Sequence, residues 1–334
     1  MIPFLSLALP EARQCVAELG FHPDRANQLR RQLLSGGAPS FSSRKWTELL
    51  TALTERFVWD SVQSSRRFPA NDGSCKYLLK LQDGEAVEAV WLPGTKAPSA
   101  CLSTQVGCAM ACKFCASGLD GVLRNLTAAE LLEQVVQIRR HQEVRRLVFM
   151  GSGEPTQNLA AIKQAIEVLR DEGGIGPRRM LVSTVGPPKA VERLGELGLK
   201  FTLALSLHAV DAKLRAELIP TQAKVDPLDL LAAADQYAAQ SGRAYQVEYV
   251  LIGGVNDSPQ QAKELASALN GRRAHVSLIP WNTVPGMDFA SPSAEHAQGF
   301  AATLQQAGVS VRLRNTVGGS AQAACGQLRR STQV

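Results

Sequence analysis

Cys108, Cys112 and Cys115 stand in the pattern CxxxCxxC on one short segment, Cys108-Ala-Met-Ala-Cys112-Lys-Phe-Cys115. Three thiolates on a single loop can hold three irons of a four-iron cluster, which leaves the fourth iron an open position for a chelating ligand. The rival is zinc, whose structural sites close four ligands, usually from two separated pairs. Only Cys112 and Cys115 make a CxxC, and the sequence has no second CxxC and no HxxxH. The spacing therefore favours the cluster. A second segment, Gly151-Ser-Gly-Glu-Pro155, follows the apolar run Arg146–Met150. A GxG carries little weight alone, but at the end of a strand it lets a backbone approach a ligand closely.

The elements that must position these groups change character near residue 100. Before it, Glu11–Leu19, Arg25–Leu34 and Lys45–Phe57 read as helices within residues 1–65. Arg25, Arg30, Arg31, Arg44, Lys45 and Arg56 lie in this stretch, with Arg66 and Arg67 following. Such a basic face is either solvated or directed at RNA. Lys76–Leu81 and Val87–Leu92, split by Asp83-Gly84, form the pattern of a β-hairpin that Pro93-Gly94 ends.

After Cys101–Gln105, the first strand of the next region, strands and helices alternate. The strands are Arg146–Met150, Met180–Thr184, Phe201–Leu207, Tyr245–Ile252, Val276–Pro280 and Val309–Leu313. The helices between and around them are Thr127–His141, Leu159–Arg170, Lys189–Leu197, Pro227–Gln240, Pro259–Leu269 and Ser293–Gln306. Thr127 with Glu130, and Ser258 with Gln261, are capping-box patterns. A serial βα pattern predicts parallel strands with helices outside, hence an α/β fold with a full or partial barrel, and chemistry on loops at the strands' C-terminal ends. The expected division is 1–65 helical accessory domain, 66–93 hairpin linker, 94–319 core and 320–334 tail.

The 334 residues suffice for one large domain with an appendage, and no apolar run reaches the roughly 20 residues that span a bilayer. The opening apolar segment is short and lacks a basic start and a cleavage site, so a cytoplasmic protein is expected. Seven cysteines are an odd number and too few for a disulfide scaffold, which points to metal ligation, catalysis or packing. The net charge of +6 permits an anionic partner without requiring one. Nothing in the sequence calls for more than a monomer.

CxxxCxxC at the mouth of a βα barrel resembles the signature of the radical S-adenosylmethionine (SAM) superfamily. Further segments narrow the resemblance: Gln105-Val-Gly-Cys108, Arg124-Asn-Leu-Thr127, Ser206-Leu-His208, Val247-Glu-Tyr-Val250, Ile279-Pro-Trp-Asn282 and Ala323-Ala-Cys-Gly-Gln-Leu328. All are similar to the RlmN/Cfr family, in the family's order, and residues 1–65 resemble its N-terminal RNA-binding region more loosely. The resemblance implies a partial (βα)6 radical-SAM barrel with an N-terminal helical domain and a β-hairpin extension. It implies one [4Fe-4S] cluster on Cys108, Cys112 and Cys115, with SAM on the open iron. The implied activity is methylation of an adenine ring carbon, carbon 2 in preference to carbon 8, in 23S ribosomal RNA and, in some members, transfer RNA. The electron would come from a donor such as flavodoxin or ferredoxin.

The resemblance also assigns roles. Cys325 takes a methyl group and then, as a methylene radical, attacks the adenine. Cys101 resolves the resulting thioether by forming a disulfide with Cys325, and Glu88 accepts the proton. SAM contacts carry over to Gly153, Glu154, Ser183, Ser206, Leu207, His208 and Asn282. Each residue has a plainer reading: Cys325 or Cys101 as packing, Glu88 facing water, His208 as a structural histidine. Cys15 and Cys75 match no role, so packing is expected of them. The sequence departs from the family at Val317-Gly-Gly-Ser-Ala-Gln322, where an Arg-Gly and acidic residues are usual, at Thr283, where proline is frequent, and at Ser152, where methionine is. These changes bear on tail docking and RNA choice. Two other readings are a radical enzyme of this scaffold acting on another RNA or a small molecule, and a non-catalytic RNA-binding protein with a structural metal.

Overall fold

A computed structural model describes residues 1–94, 97–315 and 317–329. Residues 95–96 and 316 of the expected core, and 330–334 of the expected tail, lie outside the described residues.

One ten-stranded sheet forms the frame, and its spatial order follows the sequence. The strands are β1 (Val62–Pro69), β2 (Cys75–Leu81), β3 (Ala86–Leu92), β4 (Ser99–Cys101), β5 (Arg146–Phe149), β6 (Met180–Thr184), β7 (Thr202–Ser206), β8 (Tyr245–Leu251), β9 (Ala274–Pro280) and β10 (Val311–Leu313). From β4 to β10 every neighbouring pair is parallel. The pairs among β1, β2, β3 and β4 are antiparallel. The helices that connect the parallel strands include α4 (Ala128–Arg139), α5 (Leu159–Asp171), α6 (Pro188–Glu196), α8 (Pro227–Ser241), α9 (Pro259–Leu269) and α10 (Ala294–Gln306). Six βα units and a closing parallel strand make the expected partial barrel. Both capping boxes form, with Thr127 against Glu130 and Ser258 against Gln261.

Three local expectations differ. β1 has no period-2 apolar signal, because Gln63-Ser-Ser-Arg-Arg67 is polar on both faces, so its pairing with β2 is a tertiary outcome. The two hairpin strands, β2 and β3, thus join β1 in a three-stranded antiparallel extension of the barrel sheet. The run Cys101–Gln105 is divided: β4 ends at Cys101, and Gln105–Gly107 pairs instead with Val122–Asn125 as a small hairpin. Finally α7 (Ala212–Leu218), held by an Asp211 N-cap, was invisible to the periodicity.

The accessory helices α1 (Leu9–Glu18), α2 (Asp24–Leu34) and α3 (Arg44–Thr54) share one continuous apolar core with the barrel. Arg30 corrects the reading of a basic face. It is fully buried, its guanidinium pairs with Glu172 at 2.6 Å, and it donates to the carbonyl of Leu7 at 2.8 Å. Arg25 lies over the Trp46 ring, 4.8 Å from its centroid. Arg31, Arg44, Lys45 and Arg56 remain exposed. Cys75 is buried and Cys15 packs on the core, as expected of them. No described helix is long and apolar enough to cross a membrane.

Candidate active site

The CxxxCxxC loop leaves the small hairpin at Gly107, whose φ is +79°. A Cβ there would stand 2.0 Å from the Gly121 carbonyl oxygen, so only glycine allows the strand to turn into the loop. From there the loop is fastened on several sides. The Cys108 amide donates to Gly121 O, the Lys113 amide to Leu218 O at the end of α7, and the Trp281 indole to Phe114 O at 2.9 Å. The Ala116 amide donates to Gly326 O at 2.7 Å, which ties the loop to the tail.

All three cysteines line one cavity of about 140 Å³ together with Gly153, Glu154, Ser183, Ser206, His208, Asn282 and Cys325. Burial holds the three thiols neutral: it pushes Cys108 up to about 12 and raises Cys112 and Cys115 as well, and at Cys112 the neighbouring cysteines add to the effect. Ligation would take these protons off. Around a single tetrahedral zinc, sulfurs at ~2.3 Å from the metal would stand about 3.8 Å from each other. Among the described residues no three His, Cys, Asp or Glu side chains converge closely enough to hold one metal ion. Three thiols on one loop that line one cavity suit ligands to different irons of one cluster.

Gly153 and Glu154 sit where β5 turns away. The Glu154 carboxylate is internal, accepting from the Thr156 amide at 3.0 Å, the Thr156 hydroxyl at 2.7 Å and the Val185 amide at 3.1 Å. Burial raises its pKa and these hydrogen bonds oppose the rise. Ser183 and Ser206, at the ends of β6 and β7, place their hydroxyls 3.1 Å apart. His208 holds a positive φ of 63°, and its Nδ1 accepts from the Val250 amide at 3.1 Å. Burial, with Arg215 adding, pushes His208 down to about 3, so it is neutral and Nε2 carries the proton. It thus has a structural bond on one nitrogen and a free donor on the other. Glu248 was not singled out from the sequence. It lines the same cavity, is 1% exposed, and its Oε2 has no hydrogen-bond partner among the described residues. An orphaned acceptor beside two hydroxyls and a neutral imidazole fits a ligand carrying its own donors, such as a ribose or an amine. Leu207 is the exception among the expected contacts: its side chain is in the apolar core, its amide donates to Glu248 O and its carbonyl accepts from Arg215 Nε.

Cys101 and Cys325 are both free thiols lining a second, larger cavity of about 640 Å³ that also reaches Cys115. Cys325 is exposed to this cavity while protein surrounds it; burial raises its thiol and Arg314 opposes the rise. Burial pushes Cys101 up to about 12, and Cys325 is close enough to add to that shift. The tail around Cys325 is pinned. Asn282 Nδ2 donates to Cys325 O at 3.0 Å, Gln327 Nε2 to Thr283 O at 2.8 Å and Ser117 Oγ to Leu328 O at 2.6 Å. Arg329 pairs with Asp120 at 2.8 Å. The divergent segment ahead of it docks on the β1–β2 turn, where Gly318 N donates to Asp72 and Asn71 N donates to Ser320 Oγ.

Glu88, on β3, does not face bulk water. It is 5% exposed, pairs with Lys76 Nζ at 2.9 Å and accepts from the Arg329 amide at 3.0 Å. Burial raises its pKa, and Lys76 opposes that rise. The tail covers it, so it does not line either cavity in this arrangement.

Residues 102–273 match the family model described as the Radical SAM superfamily. Among curated relatives, a "Probable dual-specificity RNA methyltransferase RlmN" of Rhodopirellula baltica is 42% identical over 335 residues, covering 98% of this chain and 90% of its own. One of the same description from Thermosynechococcus vestitus is 46% identical over 318 residues, 93% of each chain. The crystal structure of a radical SAM methyltransferase from Sphaerobacter thermophilus superimposes with a TM-score of 0.91 at 35% identity, covering 98% of this chain and 99% of that one.

Proposed function

The chain belongs to the RlmN family of radical SAM RNA methyltransferases, and from that premise we propose that it methylates carbon 2 of an adenine in 23S ribosomal RNA, with transfer RNA as a second substrate. When bound, the [4Fe-4S] cluster and SAM would supply an electron, a methyl group and a carbon radical able to abstract hydrogen, and would offer an acceptor for the one electron that the adduct with the base must lose. Cys108, Cys112 and Cys115 would hold the cluster. Gly153, Glu154, Ser183, Ser206, His208 and Asn282 would line the cofactor's berth, and Glu248 joins them through its orphaned oxygen. The electron would come from a donor such as flavodoxin or ferredoxin.

The observation that carries this reading is the convergence of two free thiols, Cys101 and Cys325, on one cavity with a cysteine of the cluster loop. Cys325 would carry the transferred carbon as a thioether. As the adduct with the base collapses, the Cys101 sulfur would bond to the Cys325 sulfur and the Cys325–carbon bond would break with its electron pair on carbon. That carbon takes up a proton, balancing the one Cys101 gives up, which leaves a disulfide and a methylated base. The proton from the base goes to Glu88 in this scheme. That step requires Leu328 and Arg329 to move aside, since the Arg329 amide occupies Glu88 Oε2. Extracting an adenine from its stack costs a few kcal/mol unless it is already unpaired. Residues 1–65 are read as the accessory RNA-binding domain, 66–93 as its link to a core at 94–319, and 320–334 as the tail that presents Cys325.

Expression of Cys101→Ala followed by mass spectrometry tests the scheme. The expected product is RNA covalently attached at Cys325. Purified variant with no nucleotide, together with wild type whose Cys325 is never methylated, would refute it. Digestion of modified RNA distinguishes 2-methyladenosine from 8-methyladenosine.

A further inference from the structure

The larger cavity runs the length of the barrel. At one end it meets Cys101, Cys115 and Cys325; at the other it opens among the N-terminal ends of the parallel strands. That second mouth is built from arginines. Arg146 is the first residue of β5, Arg178 and Arg179 form the turn before β6, Arg243 precedes β8 and Arg312 is in β10. No Asp or Glu is among the described residues lining the cavity.

These arginines differ from others in the molecule. Arg124, Arg140, Arg145, Arg170 and Arg329 each meet a carboxylate within 3 Å. Arg146, Arg178, Arg179 and Arg312 are exposed and have no ion pair or side-chain hydrogen bond among the described residues. Arg243 meets the Thr202 hydroxyl at 3.1 Å, but its Nε is buried without a partner. Like charges gathered without counter-charge repel, and an anion relieves that repulsion.

Two further observations say which anion. The cluster end of the cavity is roofed by the tail through the bonds of Ala116 to Gly326, Ser117 to Leu328 and Asn282 to Cys325. With the tail docked in this way, the route to Cys325 that stays open is the arginine mouth. The accessory helices dock on this same side. Arg30 of α2 pairs with Glu172 just after α5, and Arg139 at the end of α4 donates to Leu34 O at 2.7 Å and Gly173 O at 2.9 Å. Helices that run antiparallel to the strands end where the next strands begin, so this seam adjoins Arg146 and Arg178.

We propose that the N-terminal mouth of the barrel is a phosphate port for the RNA strand: nucleotides flanking the target adenosine enter here, with Arg146, Arg178, Arg179 and Arg312 on their phosphates, while the base reaches along the cavity to Cys325. This rests on the RNA methyltransferase reading above and adds the side from which the strand enters. Along β5 the step from Arg146 at the mouth to Met150 at the cluster end of the cavity is about 13 Å of rise. The arginines position the RNA strand.

The test uses full-length, anaerobically reconstituted enzyme and 23S ribosomal RNA transcribed in vitro. Wild type, the double variant Arg178→Gln with Arg179→Gln, Arg312→Gln, and the control Arg193→Gln on exposed α6 are compared. For a single strand each lost phosphate contact flattens the slope of log affinity against log salt by about 0.7, so the double variant is expected to flatten it by about 1.4 and Arg312→Gln by about 0.7. KM for RNA should rise by about tenfold in the double variant, with kcat at saturating RNA retained and the control unchanged. If wild type forms methyladenosine but the double variant and Arg312→Gln keep its salt slope and KM, the port is wrong and the function stands. Inorganic tripolyphosphate competing with RNA equally well for wild type and the double variant would also overturn it. Failure of wild type to form methyladenosine would instead strike the underlying reading.

Discussion

The two ends of the barrel are built on opposite plans. At the C-terminal end, three cysteines within eight residues sit on one loop, and neighbouring strand ends close around it with fixed hydrogen bonds. At the N-terminal end, five arginines come from four places between residues 146 and 312, each exposed or half-exposed and most without a protein partner. The first plan suits a cofactor that must be held in one geometry and kept from water. The second suits a flexible polyanion, for which charge matters more than angle. The difference implies that damage should be all-or-none at one end and graded at the other.

The largest effect is expected from Cys112→Ser. One cluster ligand is lost, and anaerobically purified protein should carry little iron and sulfide and form no 5′-deoxyadenosine on reduction. Full iron content with normal 5′-deoxyadenosine would remove the cluster loop from the chemistry. Gly107→Ala should come next, because its Cβ would meet the Gly121 carbonyl and its φ is positive. A loss of more than about 2 kcal/mol is expected from backbone strain alone, measurable by denaturant unfolding, with reduced iron occupancy.

Arg30→Ala bears on the other end. It leaves Glu172 as an uncompensated buried carboxylate and should cost about 3–5 kcal/mol in chemical unfolding, while the iron content of the folded fraction stays normal. A change below 1 kcal/mol would mean that the accessory helices are held by apolar packing and not by this pair. The mildest change separates proton transfer from cofactor binding. Glu88 must be ionised to accept a proton, and burial raises its pKa, so activity should fall as pH drops through that raised value. Lys76 opposes the rise; Lys76→Met removes that opposition, and the acidic limb of the rate profile should move to higher pH with SAM binding unchanged. An unmoved limb would assign the proton to another group. Against these, substitutions at the arginine mouth should change affinity and its salt slope but leave the cluster intact.

How far the sequence could be read follows the same division. The cluster loop, Gly153 and Glu154, and the Cys325 turn were legible because their residues are contiguous and their types are rare. The βα alternation was legible because buried parallel strands and amphipathic helices have distinct periods. Strand β1 was not, since Ser64, Ser65, Arg66 and Arg67 carry no alternation and take their conformation from β2. Arg30 read as one more surface charge because sequence does not show that Glu172, 142 residues later, waits for it in the interior. Glu248 lies inside the segment Val247-Glu-Tyr-Val250, yet its orphaned oxygen exists only once β8 faces the cavity.

The amino-acid sequence by itself determined which chemistry the chain is equipped for, because ligand type and close spacing are properties of a few adjacent residues. Only the tertiary structure decided where that chemistry meets its surroundings: that Cys101 and Cys325 share a cavity, that the tail covers Glu88, and that arginines far apart in the chain share one mouth. The physical reason is that parallel strands joined by long crossovers bring together residues whose separation in sequence says nothing of their distance in space.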